Sequence, residues 1–413
     1  MIDLQERLAE LESSGLRRRL RVIDGPQGPQ VLLDGRPVLL LCSNNYLGLA
    51  DHPRLRRAAA DAALSLGTSA GASRLISGTM SIHAELESRL ADFKGTEAAL
   101  LFGSGYLANT GIVSALAREG DVVFSDALNH ASIVDGCRLA RARTFVYDHC
   151  DTDHLEWGLR EAGGRGALIV TDGVFSMDGD VAPLARIVEL AHRYDARVMV
   201  DDAHGLGALG PGGRGSVAAA GLGDEVDVVV GTLGKALGSY GAYACMSRTM
   251  SKYLINTART LIFSTALSPP AVAAAGAALD LLIEEPRRVD RLQRNAKIMR
   301  EALAGHGVAT SDSTTQVLPL VVGDADHAVR VCERALEKGI FAQAIRPPTV
   351  PEGSSRLRLA VMSPHTRTEL EEAARDLAAA MRAVVGDRPK PVPVEAMREP
   401  DRSRIFDGLA EAA

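Results

Sequence analysis

Short apolar runs and amphipathic stretches alternate through the middle of the chain, from about residue 46 to residue 283. The apolar runs predict buried strands, and most are separated by segments with helical periodicity, such as 182–194. This alternation is typical of an α/β fold in which helices cover both faces of a mostly parallel central sheet. The strand candidates are 98–102, 122–124, 144–147, 167–171, 198–200 and 226–230.

The pattern changes on both sides of this region. Residues 3–20 carry apolar positions at helical spacing, which predicts a leading helix, and 31–41 predicts a β-hairpin that turns at Asp34-Gly35. Beyond Pro286, helices rich in charge alternate with strands, which predicts a smaller α+β domain. Its predicted elements are helices at 287–305 and 326–338 and strands at 316–322, 340–345 and 356–361.

A chain of 413 residues is longer than one hydrophobic core usually supports, so two domains are expected. The final segment is rich in proline and is predicted to be a loosely attached tail. The predicted division is an N-terminal helix and hairpin over 1–45, a large domain over 46–283, a small C-terminal domain over 284–385, and the tail over 386–413.

Composition and charge exclude several classes of protein. A formal net charge of −6 argues against a general nucleic-acid binder, because affinity for phosphates needs clustered positive charge. The N-terminus is acidic and amphipathic, unlike a signal peptide, and no apolar run approaches the roughly 20 residues that cross a bilayer. The five cysteines are scattered, which suits a reducing compartment. We therefore expect a soluble cytoplasmic protein without a membrane, nucleic-acid or metal partner.

Polar residues follow two neighbouring strands of the predicted sheet. Asp201 and His204 come directly after the strand at 198–200, and Thr232 and Lys235 follow the strand at 226–230. Open α/β sheets build their sites at the carboxyl ends of parallel strands, so these side chains are expected to converge. The set fits pyridoxal 5′-phosphate, with Lys235 forming the Schiff base, Asp201 holding the pyridine nitrogen protonated, and His204 contacting the ring hydroxyl or bracing Asp201.

Two nucleotide-binding motifs compete with this interpretation. A P-loop would need Ser or Thr after the lysine, but Ala236 follows Lys235 and the first glycine is too close. The segment 205–210 matches Gly-x-Gly-x-x-Gly, but the Pro211-Gly212-Gly213 that follows prevents the helix that a dinucleotide site requires. A merely solvated lysine remains the simple alternative for Lys235.

Three further positions are candidates for cofactor contacts. The glycine-rich turn through Gly105 and Tyr106 precedes a helical pattern and offers backbone N–H groups to a phosphate, although an ordinary βα loop has the same sequence pattern. His130 could stack on the pyridine ring and polarise a bound substrate group, or it could be a structural histidine. Ser176 could reach the ring oxygen or cap a turn.

The segment 148–154 contains the residue types of a metal site, because His149, Cys150 and His154 alternate with aspartates. It also reads as a strand end followed by a helix N-cap at Asp151 or Thr152. The structural interpretation is favoured.

Taken together, these motifs resemble those of the α-oxoamine synthases, which are fold-type I enzymes that use pyridoxal phosphate. The resemblance covers about residues 15 to 384 and does not include the tail. It implies a fold-type I transferase with a smaller α+β C-terminal domain. The motifs that carry it lie at 43–49, 71–79, 129–133, 201–205, 232–235 and 346–351.

The family resemblance implies a decarboxylating condensation of an amino acid with an acyl thioester. It also implies a homodimer, because Ser264 and Thr265 resemble the segment that reaches the phosphate of the partner subunit. The implied roles are proton transfer and the Schiff base for Lys235, ring stacking for His130, the pyridine nitrogen for Asp201, the ring oxygen for His204 and Ser176, the phosphate for Gly105, Tyr106 and Thr232, the substrate α-carboxylate for Arg358, and further substrate contacts for Asn44 and Thr349.

Within the family, the sequence is nearest to the branch that joins L-alanine to a pimeloyl thioester in biotin synthesis. Arg17, in the run 16–19, resembles the residue that meets the far carboxylate of the pimeloyl chain, although a solvated basic helix face is the alternative. A glycine C-acetyltransferase is the nearest rival, and a non-catalytic subunit with the same fold is a rival from another class. Whether coenzyme A or an acyl carrier protein delivers the acyl group is left open.

Overall fold

The computed structural model describes residues 2–311 and 313–386. Their contacts form two compact units. The larger contains Leu49–Ser176 and Asp180–Asp290, and the other contains the described residues through Gly48, Met177–Gly179 and those from Arg291 onward. The N-terminal and C-terminal segments therefore share one unit, whereas the sequence analysis treated them as separate. The predicted tail, apart from Gly386, lies outside the described residues.

The helices follow the predicted periodicity except at the N-terminus. The leading helix was predicted over 3–20 but ends at Ser13, because Gly15 adopts a positive φ of 67° and the helix buries no side chain. The described α-helices are α1 Leu4–Ser13, α2 Pro53–Leu66, α3 Ser81–Lys94, α4 Gly105–Leu116, α5 Ala131–Ala140, α6 Thr152–Ala162, α7 Leu184–Arg193, α8 Ser216–Ala219, α9 Arg248–Thr257, α10 Arg259–Ile262, α11 Pro269–Glu284, α12 Arg287–Gly305, α13 Ala325–Glu337 and α14 Arg367–Val385.

The six strands predicted for the large domain are all present, with ends that differ by one to two residues in most cases. The described strands are β1 Ile23–Asp24, β2 Gln30–Leu33, β3 Arg36–Leu40, β4 Ala98–Phe102, β5 Val122–Asp126, β6 Arg143–Tyr147, β7 Ala167–Asp172, β8 Ala196–Asp201, β9 Val228–Thr232, β10 Ala242–Met246, β11 Val317–Gly323, β12 Ile340–Phe341, β13 Gln343–Ile345 and β14 Ser355–Ala360.

The larger unit is built on a seven-stranded sheet in the order β4-β10-β9-β8-β7-β5-β6. Strands β5 to β9 pair in parallel, while β10 pairs antiparallel with both β4 and β9. Two hydrophobic clusters lie against the sheet. The mostly parallel α/β sheet is thus confirmed. Because β4 runs in the same direction as β9, the carboxyl ends of β4, β5, β7, β8 and β9 share one edge.

The other unit contains two small sheets. The predicted hairpin forms between β2 and β3, and β12 pairs in parallel with β3. Strand β14 lies between β11 and β13 in the second sheet. The segment 340–345 was predicted as one strand, but it divides at Ala342 into β12 and β13, which belong to different sheets.

An ion pair is buried next to the carboxyl end of β8. Lys94 Nζ lies 3.0 Å from Asp202 Oδ2, and the two side chains are 4% and 0% exposed. Asp202 also accepts hydrogen bonds from the backbone N–H and the hydroxyl of Ser216, at 2.9 and 2.6 Å. The pair therefore anchors the segment that directly follows Asp201.

Replacing Lys94 by methionine is expected to lower the free energy of unfolding by about 3–5 kcal/mol, because it leaves a buried carboxylate without its counter-charge. Urea unfolding followed by circular dichroism measures this loss. Lys297→Met is the matched control, since Lys297 is 71% exposed. If the two substitutions lowered the free energy of unfolding equally, the charge of Lys94 would contribute nothing to stability beyond the packing of its methylene groups.

Candidate active site

The carboxyl edge of the large sheet brings three of the predicted residues into one region. Asp201 ends β8, and Lys235 lies three residues beyond the end of β9. Lys235 Nζ lies 2.8 Å from His204 Nε2. Asp201 and His204 are each 7% exposed, and Lys235 is half-buried. The structure therefore gathers an amine, an imidazole and a carboxylate at one edge.

The turn that carries Lys235 depends on close backbone packing. Gly238 has a positive φ of 59°, and a Cβ atom there would lie 2.5 Å from the backbone nitrogen of Ala50. The hydroxyl of Thr232 accepts from the N–H of Gly234 at 3.2 Å and donates to the carbonyl of Gly241 at 3.1 Å. Thr232 therefore braces the turn, and its predicted contact with the cofactor phosphate stays a prediction.

Both carboxylate oxygens of Asp201 accept hydrogen bonds. Oδ1 accepts from the N–H of Ala203 at 3.0 Å, and Oδ2 accepts from Asn109 Nδ2 at 2.6 Å. Asn109 is fully buried in α4 and was not predicted as a site residue. Because α4 also carries Tyr106, Thr110 and Ser114, nothing in its sequence singles out Asn109.

A second buried carboxyl group, which the sequence analysis also missed, lies beside Asp201. Asp172 is paired with Asp201 in the register of β7 and β8 and is 4% exposed. Its burial raises its pKa well above the usual value, and the charge of Asp201 acts in the same direction while Lys235 opposes it. Asp172 is thus biased toward the neutral form.

His130 is the N-cap residue of α5. Its Nδ1 atom accepts from the backbone N–H of Ser132 at 3.2 Å and lies 2.7 Å from the Ser132 hydroxyl. The His130 side chain is exposed, yet the protein around it removes enough water to lower its pKa. The charge of Asp201 opposes this shift and that of Lys235 supports it. Ring stacking by His130 stays a prediction.

The N-terminus of α4 offers a cradle for an anion. Ser104 caps the helix by accepting from the N–H of Leu107 at 3.2 Å, and the first N–H groups of any helix lack partners within the helix. A Cβ added at Gly105 would meet no atom within 4 Å, so the approach to this backbone is open. The Tyr106 hydroxyl donates a hydrogen bond to Asp135, so the backbone of Tyr106 is the part left for the predicted contact with the phosphate.

Three predicted cofactor residues lie in loops of this unit or at its border. Ser176 is half-buried and follows β7. Ser264 is half-buried, and Thr265 is exposed and forms an isolated bridge with Ser73; both lie between α10 and α11. Their cofactor contacts, within one subunit or across a dimer, stay predictions.

In the other unit, Arg358 lies on β14 and is 6% exposed. Its Nη2 donates to Asn44 Oδ1 at 3.1 Å and to the Tyr46 hydroxyl at 3.3 Å. Burial raises the pKa of Tyr46, while the charge of Arg358 opposes the shift. The structure thus brings together the predicted residues Arg358 and Asn44 and adds Tyr46 to them.

The arginines of the run 16–19 are exposed and lie beyond α1, so the basic helix face considered as the alternative does not form. Arg17 Nη1 lies 2.6 Å from Glu12 Oε2, whereas Arg18 Nη2 lies 3.5 Å from the hydroxyl of Thr349. Burial lowers the pKa of Arg346, and the charge of Arg18 acts in the same direction. Arg18, rather than Arg17, therefore lies beside Thr349, and the carboxylate-binding role of Arg17 stays a prediction.

The segment 148–154 has the capped helix that was favoured over a metal site. Asp151 caps α6 by accepting from the N–H groups of Asp153 and His154 at 3.0 and 2.9 Å. Although ligand atoms of Asp126, His149 and Cys150 lie within 4.8 Å of one another, both ring nitrogens of His149 already contact carboxylates. These contacts are at 2.9 Å to Asp126 and 2.7 Å to Asp180.

His149 is expected to stabilise the fold in a pH-dependent way. Burial acts to lower its pKa, but the hydrogen bonds to the two aspartates raise the pKa to about 12. Because the folded pKa exceeds the unfolded value of about 6.5, the stabilisation is complete below pH 6.5 and declines as pH rises toward 12. His149→Gln should therefore lower the free energy of unfolding by about 2–3 kcal/mol at pH 6 and by at least about 1 kcal/mol less at pH 8.5.

Urea midpoints at the two pH values measure this difference. His192→Gln is the control, because His192 is 61% exposed. A loss in His149→Gln that is the same at both pH values would contradict a charged His149.

Comparisons with known proteins agree with this geometry. The family model for aminotransferase class I and II matches residues 36–377. An 8-amino-7-oxononanoate synthase from Citrifermentans bemidjiense is 56% identical over 89% of this chain and 95% of its own, and one from Geobacter sulfurreducens is 55% identical over 90% and 96%.

Solved structures of the same fold cover most of the chain. A serine palmitoyltransferase from S. paucimobilis with a bound PLP–myriocin aldimine has a TM-score of 0.88 at 32% identity, covering 92% of this chain and 97% of its own. An 8-amino-7-oxononanoate synthase from Francisella tularensis has a TM-score of 0.73 at 26% identity, covering 84% and 98%. The chain therefore belongs to the class I and II aminotransferase family and, within it, to the α-oxoamine synthases.

Proposed function

We propose that this chain is a pyridoxal-phosphate enzyme that condenses L-alanine with a pimeloyl thioester. The products are 8-amino-7-oxononanoate, carbon dioxide and the free thiol, and the reaction belongs to biotin synthesis. The observation that carries the proposal is the identity of 48% to 56% to proteins named 8-amino-7-oxononanoate synthase, over most of both chains. The amine, carboxylate and imidazole at the sheet edge supply the chemistry that such an enzyme needs.

The residues at that edge fit the cofactor. Lys235 is a half-buried primary amine, Asp201 is a buried carboxylate of the kind that pairs with a pyridinium, and the α4 N-terminus suits a phosphate. The open space at Gly105 lets the cofactor phosphate approach the backbone. When bound, the cofactor supplies an electron sink for the negative charge that develops on the amino-acid α-carbon.

The chain's own residues divide the remaining tasks. Lys235 carries the amine that removes the α-proton, and His204 lies within hydrogen-bond distance of that amine. Asp201 holds a proton on the pyridine nitrogen, with both of its oxygens fixed by hydrogen bonds. Arg358 binds the substrate α-carboxylate with its planar fork, assisted by Asn44. His204 and Ser176 would contact the ring oxygen of the bound cofactor, and Gly105, Tyr106 and Thr232 would hold its phosphate.

A homodimer is part of the proposal. Ser264 and Thr265 are assigned to the phosphate bound in the partner subunit, and the exposure of Thr265 is compatible with that role. None of the described helices is both long and apolar enough to cross a membrane. We place the enzyme in the cytoplasm because its cysteines are scattered and all five are free. Size-exclusion chromatography coupled to light scattering measures the molar mass in solution and so tests the dimer directly.

Product analysis tests the proposed reaction. The purified holoenzyme is incubated with pimeloyl-CoA and L-alanine, with acetyl-CoA and glycine, or with palmitoyl-CoA and L-serine, and thiol release and product mass are measured. Turnover confined to the first pair is expected. Turnover confined to the second or third pair would leave the family assignment intact but would contradict the proposed substrates. If the cofactor-loaded protein shows no turnover with any thioester, including a pimeloyl acyl carrier protein, the result would favour a non-catalytic subunit.

A further inference from the structure

A chain of hydrogen bonds connects Asp201 to His130 through two residues that the proposed chemistry does not use. Asn109 Nδ2 donates to Asp201 Oδ2 at 2.6 Å and to the Ser132 hydroxyl at 2.9 Å. The Ser132 hydroxyl in turn lies 2.7 Å from His130 Nδ1. Asn109 and Ser132 are both 0% exposed, so the path between the two functional residues is shielded from water.

The tautomer of His130 follows from the backbone of Ser132. The N–H of Ser132 points at His130 Nδ1 over 3.2 Å, and the position of that hydrogen is fixed by the planar peptide. A nitrogen that accepts a hydrogen bond cannot carry a proton of its own. The neutral ring of His130 therefore has its proton on Nε2, which lies on the side of the ring away from Ser132.

The direction of the other bonds follows in the same way. The ionised carboxylate of Asp201 only accepts, so the atom of Asn109 that faces it is the amide nitrogen. The second hydrogen of that nitrogen goes to Ser132, whose hydroxyl hydrogen is left to point at His130 Nδ1. This orientation leaves Asn109 Oδ1 buried without a partner.

We propose that Ser132 and Asn109 are positioning residues that hold His130 as a neutral donor from Nε2 and tie its orientation to that of Asp201. Protonation of Nδ1 would set its proton against the backbone N–H of Ser132, which cannot turn away, so His130 resists becoming a cation. In the proposed reaction, which this inference presupposes, His130 donates a hydrogen bond and Lys235 alone acts as the base. The lowered pKa of His130 agrees with this assignment.

Nuclear magnetic resonance of the full-length protein labelled with ¹⁵N-histidine tests the assignment, with and without cofactor. Long-range ¹H–¹⁵N spectra report which ring nitrogen carries the proton, and the His130 signal is identified by its loss in His130→Asn. We expect the Nε2–H form and a pKa below the usual value in the wild type. Ser132→Ala should raise the His130 pKa by about half a unit or more, since one donor to Nδ1 is lost.

Two further variants separate positioning from a general effect on folding. Ser132→Thr keeps the hydroxyl and should restore the wild-type pKa. Ser114→Ala removes a hydroxyl of α4 that bonds only to backbone carbonyls of its own helix, and should leave His130 unchanged. An Nδ1–H tautomer in the wild type, or equal shifts in Ser132→Ala and Ser114→Ala, would overturn the proposal.

Cofactor affinity tests the Asn109 bond independently. Asn109→Leu removes the hydrogen bond that orients Asp201, so the dissociation constant of pyridoxal phosphate should rise about tenfold. Ser114→Ala should leave it unchanged, and an unchanged constant in Asn109→Leu would overturn the role of Asn109. Neither experiment uses a thioester, so failure of this inference is distinguishable from failure of the proposed reaction.

Discussion

Replacing Lys235 by alanine is expected to lower kcat by about 10⁴-fold or more, because the same amine bonds the cofactor and moves the α-proton. The Lys235 amine lies 2.8 Å from His204 Nε2, so the substitution removes the amine from the proposed site. Thiol release with the preferred thioester measures the loss. The visible absorbance of cofactor bound to the lysine should disappear in the same variant.

Two companion substitutions make this result specific. Lys235→Arg keeps a positive charge near His204, but a guanidinium does not lose its proton at neutral pH, so this variant should be equally inactive. Lys252→Ala removes an exposed lysine of α9 and should keep full activity. Retention of more than a tenth of the activity by Lys235→Ala would exclude Lys235 as the reacting amine.

The fold was predictable wherever local pattern decides structure. Buried parallel strands such as β5 and β8 contain short apolar runs, Val-Val-Phe and Val-Met-Val, and such runs are visible in one sequence. Strand β10 was missed because Ala242 and Ala244 weaken the strand signal. Its position is decided by pairing with β4 and β9, which are distant in sequence.

The site residues were likewise predictable only where local sequence decides their position. Asp201 ends β8, and His204 and Lys235 each lie three residues beyond the end of a strand, so their convergence follows from the rule about the carboxyl edge of a parallel sheet. Asn109, Ser132 and Asp172 act through contacts between α4, α5 and neighbouring strands, and no local pattern encodes those distances. The pairing of Arg17 with Glu12 likewise depends on where α1 ends, which Gly15 determines.

Replacing Asp201 by asparagine is expected to lower kcat on the order of 10³-fold, because a neutral amide no longer holds the proton on the pyridine nitrogen. The substitution also disturbs local hydrogen bonding. Asp201 accepts from Ala203 and from Asn109, one bond to each oxygen, whereas an asparagine offers one acceptor and sets a donor against a donor at the other position. Steady-state thiol release gives the rate, and thermal unfolding of the holoenzyme gives the structural cost.

Asp195→Asn is the matched control, since this exposed aspartate immediately precedes β8 and asparagine tolerates its positive φ of 51°. The control should keep the wild-type rate and melting temperature. A rate in Asp201→Asn within tenfold of the wild type would contradict the pairing of Asp201 with the pyridine nitrogen. Because both variants exchange the same two functional groups at opposite ends of one strand, a difference between their rates reports the electrostatic role of Asp201 and not the chemistry of the amide.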